Sequence, residues 1–127
     1  DTSGSIGKEA LRRCLSEIKG VCDMVKPESI RILYWDTKVC SEEVYGSTGT
    51  PLEQLTQTTK PRGGGGTRVQ CVPDHIKATG IEAQAVIVLT DGYLGGDWGT
   101  WSTPLLWGVI GNKSAKPTVG KTVHINI

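Results

Sequence analysis

Phenylalanine is absent from this sequence of 127 residues, so four Trp and three Tyr carry all of its aromatic bulk. An excess of charge is also lacking, with 14 basic side chains against 13 acidic ones. No field of one sign therefore points toward nucleic acid or an anionic membrane surface. No apolar run reaches the roughly 18 residues that a membrane-spanning helix needs, and no signal-peptide pattern opens the chain. There is no HExxH stretch, so helical zinc-protease chemistry has no ligands here. Cys14, Cys22, Cys40 and Cys71 show no CxxC spacing. Cys14 and Cys22 on one helix would stand about 12 Å apart, beyond disulfide reach. Reduced, buried thiols in a cytoplasmic protein are expected. This length builds one domain, residues 1–127, with a core of its own.

What is present divides into alternating helix-like and strand-like segments. Ile6, Ala10, Cys14, Ile18 and Cys22 recur every four residues, joined by Leu11, Leu15, Val21 and Val25. That period predicts a helix with a wide apolar face, stopped by Pro27. Ile30 to Trp35 reads as a strand covered on both faces. Asp36-Thr37 turns it into a second strand, Lys38 to Tyr45, antiparallel and at an edge. Thr50-Pro51-Leu52-Glu53 combines a capping box with proline at the first helical position, which predicts a short helix to about Thr58. Lys60 to Gly66 is loop, Val69 to Ile76 a helix ending at Gly80, and Ala83 to Leu89 a strand apolar on both faces. Tyr93 to Thr103 has no helical period. Leu105 to Ile110 and Thr122 to Ile127 are the last strands. This order argues for an α/β fold with a largely parallel sheet.

Three short stretches far apart in the chain share one character. Asp1-Thr2-Ser3-Gly4-Ser5, then Gly66-Thr67 at the end of a run of four glycines, then Thr90-Asp91-Gly92 each join a bendable backbone to an oxygen-bearing side chain. Each stands where a strand-like segment meets a helix-like one. DTSGS, GGGGT and LTDGY, in that order, resemble the metal-ion-dependent adhesion site of von Willebrand factor A (VWA) domains. Within that superfamily the TDGY, PLLWGVIG and PTVGKTVHI segments are similar to the VWA-like domain at the C-terminal end of bacterial and phage proteins classed as metallopeptidases. The match spans nearly the whole chain. It implies a Rossmann-like, open and mostly parallel sheet in the order 3-2-1-4-5-6, with strand 3 antiparallel and helices on the faces. In the family the first motif directly follows a buried strand. The resemblance therefore implies that central strand 1 is missing before Asp1 and that the chain is a fragment of a longer polypeptide. The final crossovers look too short for the family's usual helices, so a trimmed version is expected, with the direction of the last strand open.

In an open parallel sheet, ligands bind beyond the carboxyl ends of the strands, where strand order reverses. Asp1 and Asp91 would end neighbouring strands there, and Thr67 would approach on a loop whose glycines allow close contact. The resemblance implies that Asp1, Ser3, Ser5, Thr67 and Asp91 hold one Mg²⁺ (or Mn²⁺ or Ca²⁺). Ser3 and Ser5 would coordinate directly, Thr67 directly or through water, and the aspartates mainly through water. Such an all-oxygen donor set suits those ions and disfavours zinc and copper. Neutral hydroxyl ligands leave the cation electron-poor, with a position open to an external carboxylate. Helix N-termini expected near Ile6 and Arg68 favour an anion at the same spot. The expected function is a non-catalytic, divalent-metal-dependent protein-binding module. Its protein ligand would supply an Asp or Glu side chain, and the resemblance suggests an AAA-type ATPase or its client. Neither nucleic acid nor membrane is expected as a partner. Asp36, Arg68, Tyr93, Asp97, Trp98 and Trp101 are expected at the rim. Arg68 stands where the family often has an acidic or amide residue, and a cation there would weaken metal binding.

Plainer readings compete. Ser3 and Ser5 make good helix N-caps, Thr90-Asp91-Gly92 is a turn sequence, and Trp98 and Trp101 can be lids on the core. Gly4-Ser5-Ile6-Gly7-Lys8 is no phosphate loop, because Thr2 and Glu9 stand where a Walker motif needs Gly and Ser or Thr. Ser3 also spoils a nucleophile elbow, for which only His75 and His124 could serve as base; both are expected to be structural. Asn112-Lys113-Ser114 reads as a turn. The competing function is a metal-assisted phosphoryl or ester hydrolase, with Asp36 as its one candidate base.

Overall fold

The amphipathic stretch after Ser5 forms α1 (Lys8–Val25), in a computed structural model that describes residues 1–46, 49–51, 54–55 and 62–126. The helix begins at Lys8, two residues past the expected Ile6, because Gly7 is its extended N-cap. It ends where Lys26 turns left-handed and donates its N–H to Cys22 O, just before Pro27. Ile18 and Cys22 of α1 pack against Ile32, Tyr34, Tyr45 and Leu55. Ile32, Tyr34 and Tyr45 lie on a pair of antiparallel strands, β1 (Ser29–Trp35) and β2 (Val39–Gly46), with Ile32 opposite Glu43 and Tyr34 opposite Ser41. Within this cluster the Tyr34 and Tyr45 hydroxyls both donate to Glu43 Oε1, at 2.9 and 3.1 Å. Burial and that bond push the Tyr34 phenol far above its ordinary range.

The opposite face of β1 joins a larger core. Trp35 meets Val69 and the first turn of α2 (Cys71–Thr79), together with Val88, Leu94, Trp98, Trp107 and Val109. Gly80 closes α2 in the left-handed region, as a C-terminal glycine does. The second sheet is parallel, with β4 (Leu105–Ile110) between β3 (Val86–Thr90) and β5 (Lys121–Ile125). Val88, Trp107 and Thr122 are in register across it. Trp107 is fully buried; its indole N–H donates to Val119 O at 2.8 Å, and Trp98 and Trp101 meet it edge-on at 5.2 and 6.0 Å.

The architecture is α/β. The described strands form two sheets, with β1 and β3 not paired with each other. The last strand, whose direction the sequence left open, is parallel to β4, and neither of the short crossovers of the parallel sheet contains a helix among the described residues. Burial and element bounds depart from expectation. Two-sided burial holds for β4 but not for its neighbours: Ile87 of β3 and Val123 of β5 are 45% and 52% exposed. They lie on the face opposite Val88 and Trp107, while the crossover residues Leu94, Trp98 and Val119 pack on the Trp107 face. β3 starts at Val86 and not at Ala83, α2 starts at Cys71 and not at Val69, and β5 spans Lys121–Ile125. The helix expected from Pro51 to Thr58 falls mostly outside the described residues; of that segment, Leu55 is buried in the α1 cluster. All four cysteines are free thiols. Burial pushes Cys14 and Cys71 up to about 11, so both stay protonated and unreactive at neutral pH. No helix among the described residues is long and apolar enough to cross a membrane.

Trp107 fills the centre of the larger core and satisfies a buried carbonyl. Trp107→Ala is expected to cost about 3–5 kcal/mol, and Trp107→Phe, which keeps most of the volume but orphans Val119 O, about 1–3 kcal/mol. Urea unfolding of both variants measures this; two midpoints indistinguishable from wild type would show that the core does not depend on this indole.

Candidate functional site

The site grows from the backbone at the chain's first two residues. Asp1 N donates to Leu89 O of β3 at 2.9 Å, and Thr2 N donates to Trp35 O of β1 at 2.7 Å. The first loop is thereby held between the two sheets.

Asp1, Ser3 and Ser5 form a compact oxygen cluster. The Asp1 carboxylate accepts Ser3 N at 2.8 Å and the Ser3 hydroxyl at 2.5 Å on Oδ1, and the Thr90 hydroxyl at 2.6 Å on Oδ2. Ser3 is buried, and its Oγ lies 3.4 Å from Ser5 Oγ. Neither serine caps α1, whose N-cap Gly7 has no side-chain cap bond. The plain N-cap reading of both residues therefore does not hold.

The third loop leaves the end of β3 directly beside this cluster. Thr90 is fully buried and also accepts Gly92 N at 3.1 Å. Asp91 is 9% exposed and accepts Tyr93 N at 3.2 Å, so the turn reading of Thr90-Asp91-Gly92 is realised as well. Asn112 donates to Asp91 O at 2.9 Å and pins the turn from the loop after β4.

The second loop docks on the first through backbone. Gly64 N donates to Thr2 O at 2.7 Å, and Gly4 N donates to Gly65 O at 2.8 Å. Thr67, half-buried, follows two residues later. The glycines are needed here: a Cβ on Gly63 would collide with Thr2, and one on Gly65 would stand 2.9 Å from Asp36 Oδ2. Asp36 is 7% exposed; its carboxylate accepts Lys38 N at 3.2 Å and Gly65 N at 3.1 Å. The Lys38 bond first, with Cys40, Gly65 and Thr37 adding to it, holds this carboxyl below its ordinary value against the opposing effect of burial.

The remaining rim residues separate into two groups. Tyr93 is 67% exposed, Asp97 is exposed and accepts Gly99 N at 3.0 Å, and the exposed Arg68 guanidinium lies 3.6 Å from Asp74 of α2. Trp98 instead is buried in the core, and Trp101 is half-buried with its indole N–H on Trp98 O at 2.7 Å. These two indoles have the lid arrangement. His75 lies in α2, 3.7 Å from Glu42, and His124 Nε2 is 2.9 Å from Ala115 O; neither pairs with a site hydroxyl in these contacts.

Sequence reasoning passed over Thr90 as a partner of Asp1, Asn112 as a brace, and Asp36 as a loop tether. Only Asn112 left a local trace, since an Asn two before a Ser is a turn signature; its Oδ1 accepts Ser114 N at 3.2 Å.

With this geometry in view, residues 1–126 match the family model described as VWA-like domain (DUF2201). The chain belongs to this VWA-like family. No curated protein and no solved structure matches it.

Because Asp36 titrates below its ordinary value of 3.8, the stability it contributes is fully present above about pH 4 and is lost as pH falls through its lower folded value. Asp36→Asn is therefore expected to unfold at a lower urea concentration than the wild-type domain at pH 7, with the difference shrinking below about pH 4. A gap that stays constant down to pH 2 would mean that the carboxylate charge does not hold the loop.

Proposed function

We propose that this VWA-like domain is a divalent-cation-dependent protein-binding module, whose ion is Mg²⁺ (or Mn²⁺ or Ca²⁺) held by Asp1, Ser3, Ser5, Thr67 and Asp91. The observation that carries the reading is the state of the two serines. Ser3 gives its proton to Asp1, which leaves oxygen lone pairs for a cation, and Ser5 Oγ lies 3.4 Å away without a capping role. Among the described residues no group of three or more His, Cys, Asp or Glu side chains is arranged for a metal. A cation here would depend on the hydroxyls, which suits a hard ion. Bound, that ion would offer a Lewis-acidic contact to a partner's Asp or Glu carboxylate.

The chain's own groups support binding over hydrolysis. Asp36, the one candidate base, spends both carboxylate oxygens on backbone N–H donors and is held below its ordinary value. A general base works best with a value near the working pH, and Asp36 is instead held low, with an N–H donor on each oxygen competing for its lone pairs. Arg68, the cation feared beside the site, is drawn toward Asp74. Tyr93, Asp97 and Arg68 supply exposed side chains for a partner, which the family resemblance suggests is an AAA-type ATPase or its client in the cytoplasm. The unpaired thiols are compatible with that reducing compartment. The order 3-2-1-4-5-6 belongs to the same proposal: β2, β1, then a strand between β1 and β3, then β3, β4 and β5. The bonds from Asp1 and Thr2 to Leu89 and Trp35 support it.

Isothermal titration with Mg²⁺ and Mn²⁺ tests the site. Asp91→Ala is expected to abolish binding while the fold survives, and Thr67→Ala to weaken it less. Equal affinity in wild type and both variants would reduce the three loops to turns.

A further inference from the structure

We infer that Asp36 is a positioning residue for the cation site, setting its affinity by clamping the backbone on both sides of Thr67. The inference rests on the cation-binding reading above and assigns Asp36 a role in it. The Asp36 carboxylate holds Gly65 N at 3.1 Å, two residues before Thr67, and the Asp36 carbonyl holds Arg68 N at 2.9 Å, one residue after. Thr67 thus sits in a short span fixed at both ends by one residue. Asp36 is itself fixed: it follows Trp35, whose carbonyl takes Thr2 N, and its other oxygen takes Lys38 N at 3.2 Å. Gly65 passes the constraint on, because its carbonyl takes Gly4 N at 2.8 Å, inside the loop that carries Ser3 and Ser5. The path from Asp36 to the serines therefore runs through two consecutive hydrogen bonds, with no flexible side chain beyond that of Asp36. A glycine run costs more backbone entropy to order than any other sequence. Without the clamp, residues 63–67 would have only the first loop to hold them, and the Thr67 oxygen would be delivered to an ion at the expense of that ordering.

The test is a double-mutant cycle read by Mn²⁺ titration on folded protein, with thermal unfolding run beside it to correct for folded fraction. Asp36→Asn keeps the shape but turns one acceptor into an amide donor facing an N–H; it is expected to weaken Mn²⁺ binding about tenfold, the order of one hydrogen bond to a charged group. In a Thr67→Ala background the same change should cost clearly less than it does in the wild type, because part of the clamp acts through Thr67 and only the path through Gly65 to the serines remains. Gly65→Ala is the second route: it keeps the Asp36 charge but would set a Cβ 2.9 Å from Asp36 Oδ2, and it should reproduce the loss. Additive losses in the double variant would overturn the inference in favour of general destabilisation. A loss in Asp36→Asn that Gly65→Ala does not share would overturn it in favour of long-range charge. Unchanged affinity in both single variants, with wild type binding, removes the clamp alone. A wild type that binds no Mn²⁺ removes the cation reading and the clamp with it.

Discussion

Two sheets that share no strand pair are stitched together at the backbone of Asp1 and Thr2, one N–H reaching β3 and the other β1. The accepting carbonyls belong to Leu89 and Trp35. The residues that follow them are Thr90-Asp91 on one side and Asp36 on the other. The side chains of Asp1, Ser3, Thr90, Asp91 and Asp36 are therefore all counted from one of these two hydrogen bonds, and the Thr67 loop docks on them. Strand spacing of about 4.8 Å then decides how close the loops come. A slip of one residue on either side would exchange Thr90 for Leu89 against Asp1, or Trp35 for Asp36 against the glycine loop.

Three carboxylates, Asp1, Asp36 and Asp91, emerge from this seam, and burying them without solvation would be costly. The chain answers with backbone donors and hydroxyls and not with basic side chains. Asp1 has Ser3 N, Ser3 Oγ and Thr90 Oγ1; Asp36 has Lys38 N and Gly65 N; Asp91 has Tyr93 N. Arg68, the basic side chain next in sequence to Thr67, is engaged with Asp74. In these contacts the carboxylate charges are not offset by a basic side chain, which would favour a cation there. An Arg or Lys in place of those N–H donors would have stabilised the same carboxylates while repelling the ion.

Local periodicity carried much of this architecture. The apolar spacing of Ile6 to Val25, the Pro27 stop, the paired runs around Asp36-Thr37 and the strand Leu105 to Ile110 all depend on neighbours within a few residues, and each is present in the structure. The start of β3 does not depend on its own composition. Ala83 and Ala85 could extend the apolar run, but the ladder begins where its partner begins, with Val86 N on Pro104 O. The same limit hid Thr90, whose bond to Asp1 spans 89 positions. It hid Asp36 as well, because a carboxylate at a strand end looks alike whether it meets water, an ion or a glycine amide. Covering of the sheet faces was misjudged on β3 for another reason: apolar residues on both faces show what a strand can bury, not which face has a neighbour, and Ile87 is left 45% exposed.

The loop from Tyr93 to Thr103 shows how a single segment can be both scaffold and surface. Trp98 is buried edge-on against Trp107, and Gln70 of the turn before α2 accepts Thr100 N at 2.8 Å while its amide donates to Asp74 at 3.0 Å. The far half of the loop is therefore fixed to the core and to α2. The near half is tied at Asp91, whose carboxylate takes the Tyr93 N–H, and by Leu94 in the core, while the Tyr93 ring between them stands 67% exposed. An aromatic ring held by its own backbone next to a candidate ligand loses little conformational freedom when a partner covers it, and covering apolar area is worth about 25 cal/mol per Å². Trp98 has no such area left to give. Partner affinity at this rim would therefore draw on Tyr93, while stability draws on Trp98, and the tie at Asp91 couples any movement of Tyr93 to the carboxylate of the site itself.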